Sequence, residues 1–311
     1  MITFLVFQIG SATEEIYEFS KIGSWTFKEV SKVYAQGGFL FLGTPEGLKI
    51  LNIITLKDSV KGIQLPEYKA GARPVGIAYY KGVVYVGVNK LTAPEISVVS
   101  FTDGKLITSI PTSGNIISLS VSSNYLFVLT SLGLEVYNIS DPTNPQNEAN
   151  LVFSSGAALS MYASYPYIMI ALGQDGLMIL KMEGKSLSKV YEYKLPDGNP
   201  VLDVSPYGSY VYLAAGKGGI KVLNTTSPNP LIGEIKTDKP VSRVLVYGKY
   251  LLASLGEGGL VMYSLSNPAN PTPVAYYSRG MFLYDIAVYS DVVALAFGTG
   301  GVITLKSRLL K

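Results

Sequence analysis

The chain has 311 residues, carries a net charge of +3 and contains neither histidine nor cysteine. These absences exclude Ser-His-Asp and Cys-His catalysis, histidine-bound metal sites, disulfides and iron–sulfur clusters. A charge this small, with no cluster of basic residues, does not indicate a nucleic-acid partner. We expect no cofactor and no metal site, whereas carboxylate, lysine, tyrosine and serine chemistry stays open.

Residues 1–12, MITFLVFQIGSA, form an apolar segment that we expect to lie outside the main domain. Its stretch from Ile2 to Ile9 is too short to cross a bilayer, and no other segment is apolar enough, so no stable membrane span is expected. A short apolar stretch followed by Gly-Ser-Ala is typical of the remnant of a secretory signal, although the basic start of such a signal is missing. The alternative is an ordinary buried strand.

A glycine-containing pattern recurs along the rest of the chain. Its anchoring apolar residues, from Leu48 to Val302, follow one another at intervals of about 42 residues. Such a period, carrying four short strands, is the signature of a propeller blade. We therefore predict an all-β fold over 13–311, a seven-bladed β-propeller with four-stranded antiparallel blades. The copies lie at 41–53, 86–101 (degenerate), 128–140, 170–182, 213–225, 253–265 and 295–306.

The copy AAGKGGIKVL, at 214–223, looks like a phosphate-binding loop. A Walker A loop, however, needs its lysine to be followed by Ser or Thr, between a strand and a helix. Lys217 is followed by Gly218 and then by strand sequence, and the copy at 253–265 has Glu257 in its place. The glycines are instead predicted to supply the positive φ angles of a tight hairpin turn.

The last copy ends too early to supply its own outermost strand. Residues 14–23, EEIYEFSKIG, resemble the outermost strand of the fourth blade at 188–198, SKVYEYKLPDG. We predict that this N-terminal strand closes the ring, which leaves no exposed sheet edge. The alternative is a short helix, because residues 11–14 resemble a capping box.

Two copies also carry a Ser-x-Pro loop, in GLEVYNISDPTNP at 133–145 and GGLVMYSLSNPANP at 258–271. With these motifs the chain resembles the LVIVD-repeat β-propellers, although it has Asn138, Asn224 and Ser264 where that family favours aspartate. The resemblance covers the chain from about residue 13 onward. It implies a propeller fold and, because such proteins often lie at cell surfaces, an extracellular or envelope location. It implies little about activity.

Aligning the innermost strands on their first turn gives one polar column that should line the central channel. On four neighbouring blades its charges alternate between acid and base. The favoured interpretation is a structural ion-pair belt, because alternating charges neutralise one another. The alternative is a ligand site or a carboxylate active site. The column reads Lys32, Ile77, Ser118, Ser160, Asp203, Arg243 and Asp285.

Two N-glycosylation sequons begin at Asn138 and Asn224, at equivalent strand ends. Together with the tyrosine-rich, charge-poor composition, they favour an exported protein over a cytoplasmic one. We expect a non-enzymatic binding or structural module at the cell surface with a protein or glycan partner. The alternatives are a subunit of an assembly that uses the N-terminal strand, and an enzyme with carboxylates in the channel. The sequence leaves the oligomeric state open.

Overall fold

Each repeat folds as a four-stranded antiparallel sheet, and seven such blades pack side by side in a closed ring. The computed structural model describes residues 19–56, 59–64, 69–154 and 156–310. The prediction of an all-β, seven-bladed propeller is confirmed. The apolar segment 1–12 lies outside the described residues. Within those ranges, no helix is long and apolar enough to cross a membrane.

The blades follow the chain in order, each running from its innermost to its outermost strand. Blade one consists of β2–β5, blades two to six follow in groups of four, and blade seven consists of β26–β28 with β1. Strands β1 to β14 are Ser20–Trp25, Lys32–Gln36, Phe39–Thr44, Gly47–Leu56, Ser59–Gln64, Pro74–Tyr80, Val83–Asn89, Pro94–Ser100, Leu106–Pro111, Ile116–Ser122, Tyr125–Thr130, Gly133–Asn138, Gln146–Val152 and Ser160–Ser164. Strands β15 to β28 are Tyr167–Ala171, Leu177–Glu183, Ser186–Tyr193, Asp203–Tyr207, Tyr210–Ala214, Ile220–Asn224, Leu231–Ile235, Arg243–Tyr247, Tyr250–Ser254, Leu260–Ser264, Thr272–Tyr277, Asp285–Tyr289, Val292–Ala296 and Val302–Lys306.

The hydrophobic core lies between the blades. One apolar cluster fills each of the seven junctions between neighbours, including the junction of blade seven with blade one. Strands such as β23 and β27 are buried throughout because both of their faces are covered, and they are apolar on successive residues. The outer strand β17 alternates between exposed and half-buried residues for most of its length.

The ring is closed by β1, which pairs with β28 from the other end of the chain. Closure by an N-terminal strand is thus confirmed, but the strand predicted at 14–23 lies in fact at 20–25, and residues 14–18 are outside the described part. Trp25 pairs with Val302 as Tyr193 pairs with Leu177 in blade four. The predicted alignment was six residues too early, because an alternating Tyr-Glu pattern fits any outer strand.

Glycine turns join four blades to their successors. The first glycine of each turn has φ between +56° and +58°, as predicted, and its backbone bonds to the residue two positions before the next blade's inner strand. Three of these contacts are reciprocal pairs of hydrogen bonds, and the fourth is a single bond of 3.0 Å from Leu283 to Gly256. The reciprocal pairs are Gly173 with Val201, Gly216 with Val241, and Gly298 with Val30. They are called the glycine bridges below.

The other three junctions are made differently. Between blades two and three, the side-chain amide of Asn89 replaces the bridge: it donates to the Ile116 carbonyl at 2.9 Å and accepts from its N–H at 2.8 Å. In blades one and three, Thr44 and Thr130 close the equivalent turn with their hydroxyls. Within the described ranges, no isolated backbone bridge joins blade one to two or blade three to four.

The Ser-x-Pro loops lie at the opposite end of the strands from the glycine turns. The hydroxyl of Tyr85 donates to the carbonyl of Pro142 at 2.8 Å, and that of Tyr212 donates to the carbonyl of Pro268 at the same distance. In each case a tyrosine of one blade holds the loop of the next. Blade four has Met169 at the equivalent position of its second strand, and its successor carries only the shortened loop.

Candidate functional site at the channel mouth

Five of the predicted column residues open the innermost strands of five consecutive blades: Ser160, Asp203, Arg243, Asp285 and Lys32, in ring order. Ser118 occupies the equivalent position of β10, four residues before the strand ends. The structure thus places six of the seven predicted residues at one level of the ring.

Ile77 does not belong to the column. The column position of blade two is occupied by Gly76. Gly76 pairs with Gly87 as Asp203 pairs with Ala214, whereas Ile77 is 3% exposed and packs between blades one and two. The sequence alignment treated Gly82 as the first residue of the turn between the first and second strands, as the turn glycine is in other blades. In this blade Lys81, with φ of +44°, is the first turn residue and Gly82 is the second.

Four of the column residues form one ion-paired chain, called the belt. Arg243 contacts Asp203 at 3.4 Å and Asp285 at 3.0 Å, and Lys32 contacts Asp285 at 3.4 Å. The aspartate side chains are 6% and 3% exposed, whereas those of Arg243 and Lys32 are 32% and 22% exposed. The belt therefore spans blades five, six, seven and one, across the junction where the ring closes.

Backbone groups complete the belt. Asp203 accepts the N–H of Val244 at 3.0 Å, and Asp285 accepts the N–H of Val33 at 3.1 Å. Each aspartate therefore binds the inner strand of the following blade. The Ser160 hydroxyl donates to Asp203, which extends the hydrogen bonding to blade four.

The two basic groups respond differently to burial. Burial lowers the pKa of Lys32 and outweighs the opposing effect of the Asp285 carboxylate. Burial also disfavours the charge of Arg243, but the carboxylates of Asp203 and Asp285 together outweigh it and raise the pKa of Arg243. Arg243 is therefore the firmly charged centre of the belt.

A cavity beside the belt is small. It measures about 90 Å³ and is lined by Ser118, Ser160, Asp203, Ser205 and Arg243, among others. Pockets that bind small molecules usually measure about 300–1,000 Å³. Because each belt carboxylate is already bonded to a cation and a backbone N–H, the geometry is that of a structural ion-pair network. Within the described ranges, no group of acidic residues is arranged to hold a metal ion.

Apolar side chains lie next to part of the column at the channel mouth. Leu159, Leu202 and Tyr284 directly precede column residues, and each donates its backbone N–H to the end of the adjacent strand at 2.8–2.9 Å. Leu159 and Tyr284 are 41% and 46% exposed, and the Phe282 ring, 43% exposed, lies 4.8 Å from the Tyr284 ring. Further exposed apolar residues lie on the same face, which carries the glycine turns and is called the mouth face: Leu91, Leu132 and Val152.

The sequon residues Asn138 and Asn224 end the equivalent strands β12 and β20, as the sequence indicates. The side-chain oxygen of Asn138 accepts the N–H of Ser140 at 2.9 Å, and that of Asn224 accepts the N–H of Thr226 at 3.1 Å. Both residues therefore close an Asx turn at the strand end. Ser264 closes the equivalent turn in blade six with its hydroxyl.

Two buried charges were not found from the sequence. Lys221 is 2% exposed and contacts Asp197 at 2.6 Å and Glu234 at 2.8 Å. Glu135 is 6% exposed and lies at the equivalent position of blade three. The sequence did contain a signal for each of them, namely a single charged residue inside the otherwise apolar third strand of its blade.

The comparisons with known proteins agree with this architecture. The LVIVD repeat matches residues 113–151 and 240–278, which correspond to blades three and six, and the resemblance predicted from the sequence is confirmed there. These are the two blades whose loops accept the tyrosine hydroxyls. No curated protein matches the chain in sequence.

Solved structures match almost the whole chain. The WD40 β-propeller domain of Doa1 is 14% identical with a TM-score of 0.74, covering 93% of this chain and 97% of its own. The Neurospora crassa Pan2 WD40 domain is 11% identical with a TM-score of 0.69, covering 93% of this chain and 95% of its own. The computationally designed Ika8 protein is 12% identical with a TM-score of 0.66, covering 94% and 100%. At such identities the similarity establishes the fold alone.

Proposed function

We propose that the chain is a non-enzymatic binding module at the cell surface, and that it engages a protein partner through the mouth face. The observation that carries the proposal is the set of exposed apolar and aromatic side chains around a belt whose charges are already paired. Exposed apolar patches mark interaction sites, and aromatic residues supply much of the energy of protein interfaces.

The opposite face differs in chemistry. Among the described residues, and apart from Leu106, Ile107 and Ile232 on the outer strands β9 and β21, its exposed large side chains are tyrosines, such as Tyr165, Tyr167 and Tyr289, whose hydroxyls suit contact with water. Next to the inner strands, leucine and phenylalanine are exposed on the mouth face instead, as Leu159 and Phe282 are. This asymmetry favours the mouth face as the binding face.

Site-specific crosslinking tests the proposal. A photoreactive residue at position 282, introduced into the protein in its source cells, should give a discrete adduct in the envelope or medium. The same residue at position 167, on the opposite face, is the matched control and should give none. Tyr284→Ser should weaken the adduct at 282.

Equal adducts at both positions, or none at either, would contradict the proposal. An adduct that disappears after glycosidase treatment would replace the protein partner with a glycan. Recovery of the protein only from the cytoplasmic fraction would overturn the surface location.

A further inference from the structure

Blade three contains a cavity of about 380 Å³, which is large enough for a small molecule. The walls are partly apolar, with Leu132, Leu151 and Val152, and partly polar, with Asn147 and Asn150. The cavity lies between the third and fourth strands of the blade and the connection from blade two, away from the belt.

A buried carboxylate lines this cavity. One oxygen of Glu135 accepts the N–H of Ser113 at 2.8 Å and its hydroxyl at 2.5 Å, and the other accepts the Tyr137 hydroxyl at 2.8 Å. All three donors are neutral. Among the residues that the structure describes, no lysine or arginine forms an ion pair with Glu135. A buried charge without a counter-charge is costly, so this site is electrostatically incomplete.

Blade five shows the complete form of the same site with the charges reversed. Lys221 occupies the position of Glu135, and it is neutralised by Asp197 from the preceding connection and by Glu234, its partner on the outer strand. In blade three the outer-strand partner of Glu135 is Asn150, whose amide bonds to Asn147 instead. The chain supplies both counter-charges in blade five and neither in blade three.

We propose that the blade-three cavity binds a primary ammonium group on a short alkyl chain. The ammonium would contact the Glu135 carboxylate, and the chain would lie against Leu132 and Val152. Either a free alkylamine or a lysine side chain of another protein has this chemistry. Leu132 and Val152 also lie on the mouth face, but the test is independent of the mouth-face proposal, because it needs no partner and changes only Glu135 and Asn150 at the site.

Calorimetric titration of the intact protein tests this inference. Pentylammonium should bind at least tenfold more tightly than pentan-1-ol, which has the same chain without the charge. Glu135→Gln keeps the acceptor for Ser113 but removes the charge, and it should abolish the difference. Glu183→Gln, an exposed acid paired with Lys181, is the matched control and should leave binding unchanged. Equal binding of the two probes to the wild type would overturn the proposal, as would unchanged binding to Glu135→Gln.

A second variant tests the site without removing Glu135. Asn150→Lys places a cation directly across the strand pair from Glu135, where such pairs interact. It should raise the melting temperature and weaken pentylammonium binding at least tenfold. Unchanged stability together with unchanged binding would contradict the proposal even if Glu135→Gln does not fold.

The two sources of the ammonium can be separated with a peptide. Acetyl-Gly-Lys-Gly-amide should compete with pentylammonium if the cavity accepts a lysine side chain from a protein. Binding of pentylammonium but not of the peptide would assign the site to free amines.

Discussion

The two halves of the ring are joined by different means. From blade four to blade one, backbone contacts of the turn glycines link each blade to the next, and the belt and Ser160 run through the same blades. From blade one to blade four, side chains make the contacts instead: Arg73, before blade two, pairs with Glu29, before blade one, at 2.6 Å, the Asn89 amide bonds to Ile116, and the Ser122 hydroxyl accepts the N–H of Tyr165 at 2.9 Å. The difference shows that a common repeat period does not require a common junction.

The better-connected half contains the place where the two ends of the chain meet. β1 and β28 are joined by hydrogen bonds rather than by a covalent connection, so an opening of the ring would begin there. Arg243, Asp285 and Lys32 bridge blades six, seven and one across this place. We infer that these contacts stabilise the closure of the ring.

The largest effect is expected from Gly301→Ala. A β-carbon there would lie 2.2 Å from the Trp25 carbonyl oxygen, and the residue has φ of +73°, so the closing strand must shift. We expect a loss of about 4 kcal/mol in the free energy of unfolding, measured by urea denaturation. Gly248→Ala, with φ of +56° and open space around it, should cost only about 1 kcal/mol. If both variants lost the same free energy of unfolding, the close approach of Gly301 to the Trp25 carbonyl would be unimportant for stability.

Arg243→Ala should break the belt. It leaves two nearly buried carboxylates without their shared cation, and the expected loss is about 3 kcal/mol. Lys189→Ala removes an ion pair that is about half exposed, and it should change stability by less than about 0.5 kcal/mol. A melting temperature unchanged by Arg243→Ala would contradict the belt.

Asn89→Ala tests the junction between blades two and three. It removes both hydrogen bonds to Ile116, which is 2% exposed, and leaves its backbone groups unpaired, for an expected loss of about 2 kcal/mol. Asn124→Ala, which removes an exposed bond to Ser140, serves as the control and should cost less than about 1 kcal/mol. If the two variants were equally stable, the Asn89 amide would not replace a glycine bridge.

The smallest effect concerns acid stability in blade five. The hydrogen bond from Lys221 lowers the pKa of Asp197 to about 2, from 3.8. Its stabilisation is therefore present above pH 3.8 and is lost as the pH falls through 2. Asp197→Asn should cost about 1 kcal/mol at pH 7 and nothing at pH 1.5, by denaturation at both pH values. Asp238→Asn is the exposed control, and a pH-independent difference between Asp197→Asn and the wild type would refute the coupling.

The sequence could predict what repeats and little of what is unique. The repeat period and the turn glycines located the blades. Asp203, Arg243 and Asp285 were located because each lies the same number of residues before the turn between the first and second strands of its blade. In blade two the same alignment gave Ile77 instead of Gly76. The reason is that either central residue of such a turn can adopt positive φ, and Lys81 does so without being glycine. The closing strand was misplaced because its register is fixed by β28 and not by its own pattern.

The cavity of blade three could not be predicted at all. A lone glutamate in an apolar strand is visible in the sequence, but its meaning depends on which residues face it across the sheet. The pairing of Glu135 with Asn150, and of Lys221 with Glu234, emerges only from the register of the outer strands.

Amide hydrogen exchange across the whole ring tests the central claim most directly. The amides of Val30, Val201 and Val241, which donate in the glycine bridges, should exchange slowest among the blade junctions, and Arg243→Ala should accelerate Val30 and Val241 most. Slow exchange confined to the junctions of blades one to four, or exchange that Arg243→Ala does not change, would contradict the claim that the bridges and the belt hold the ring closed.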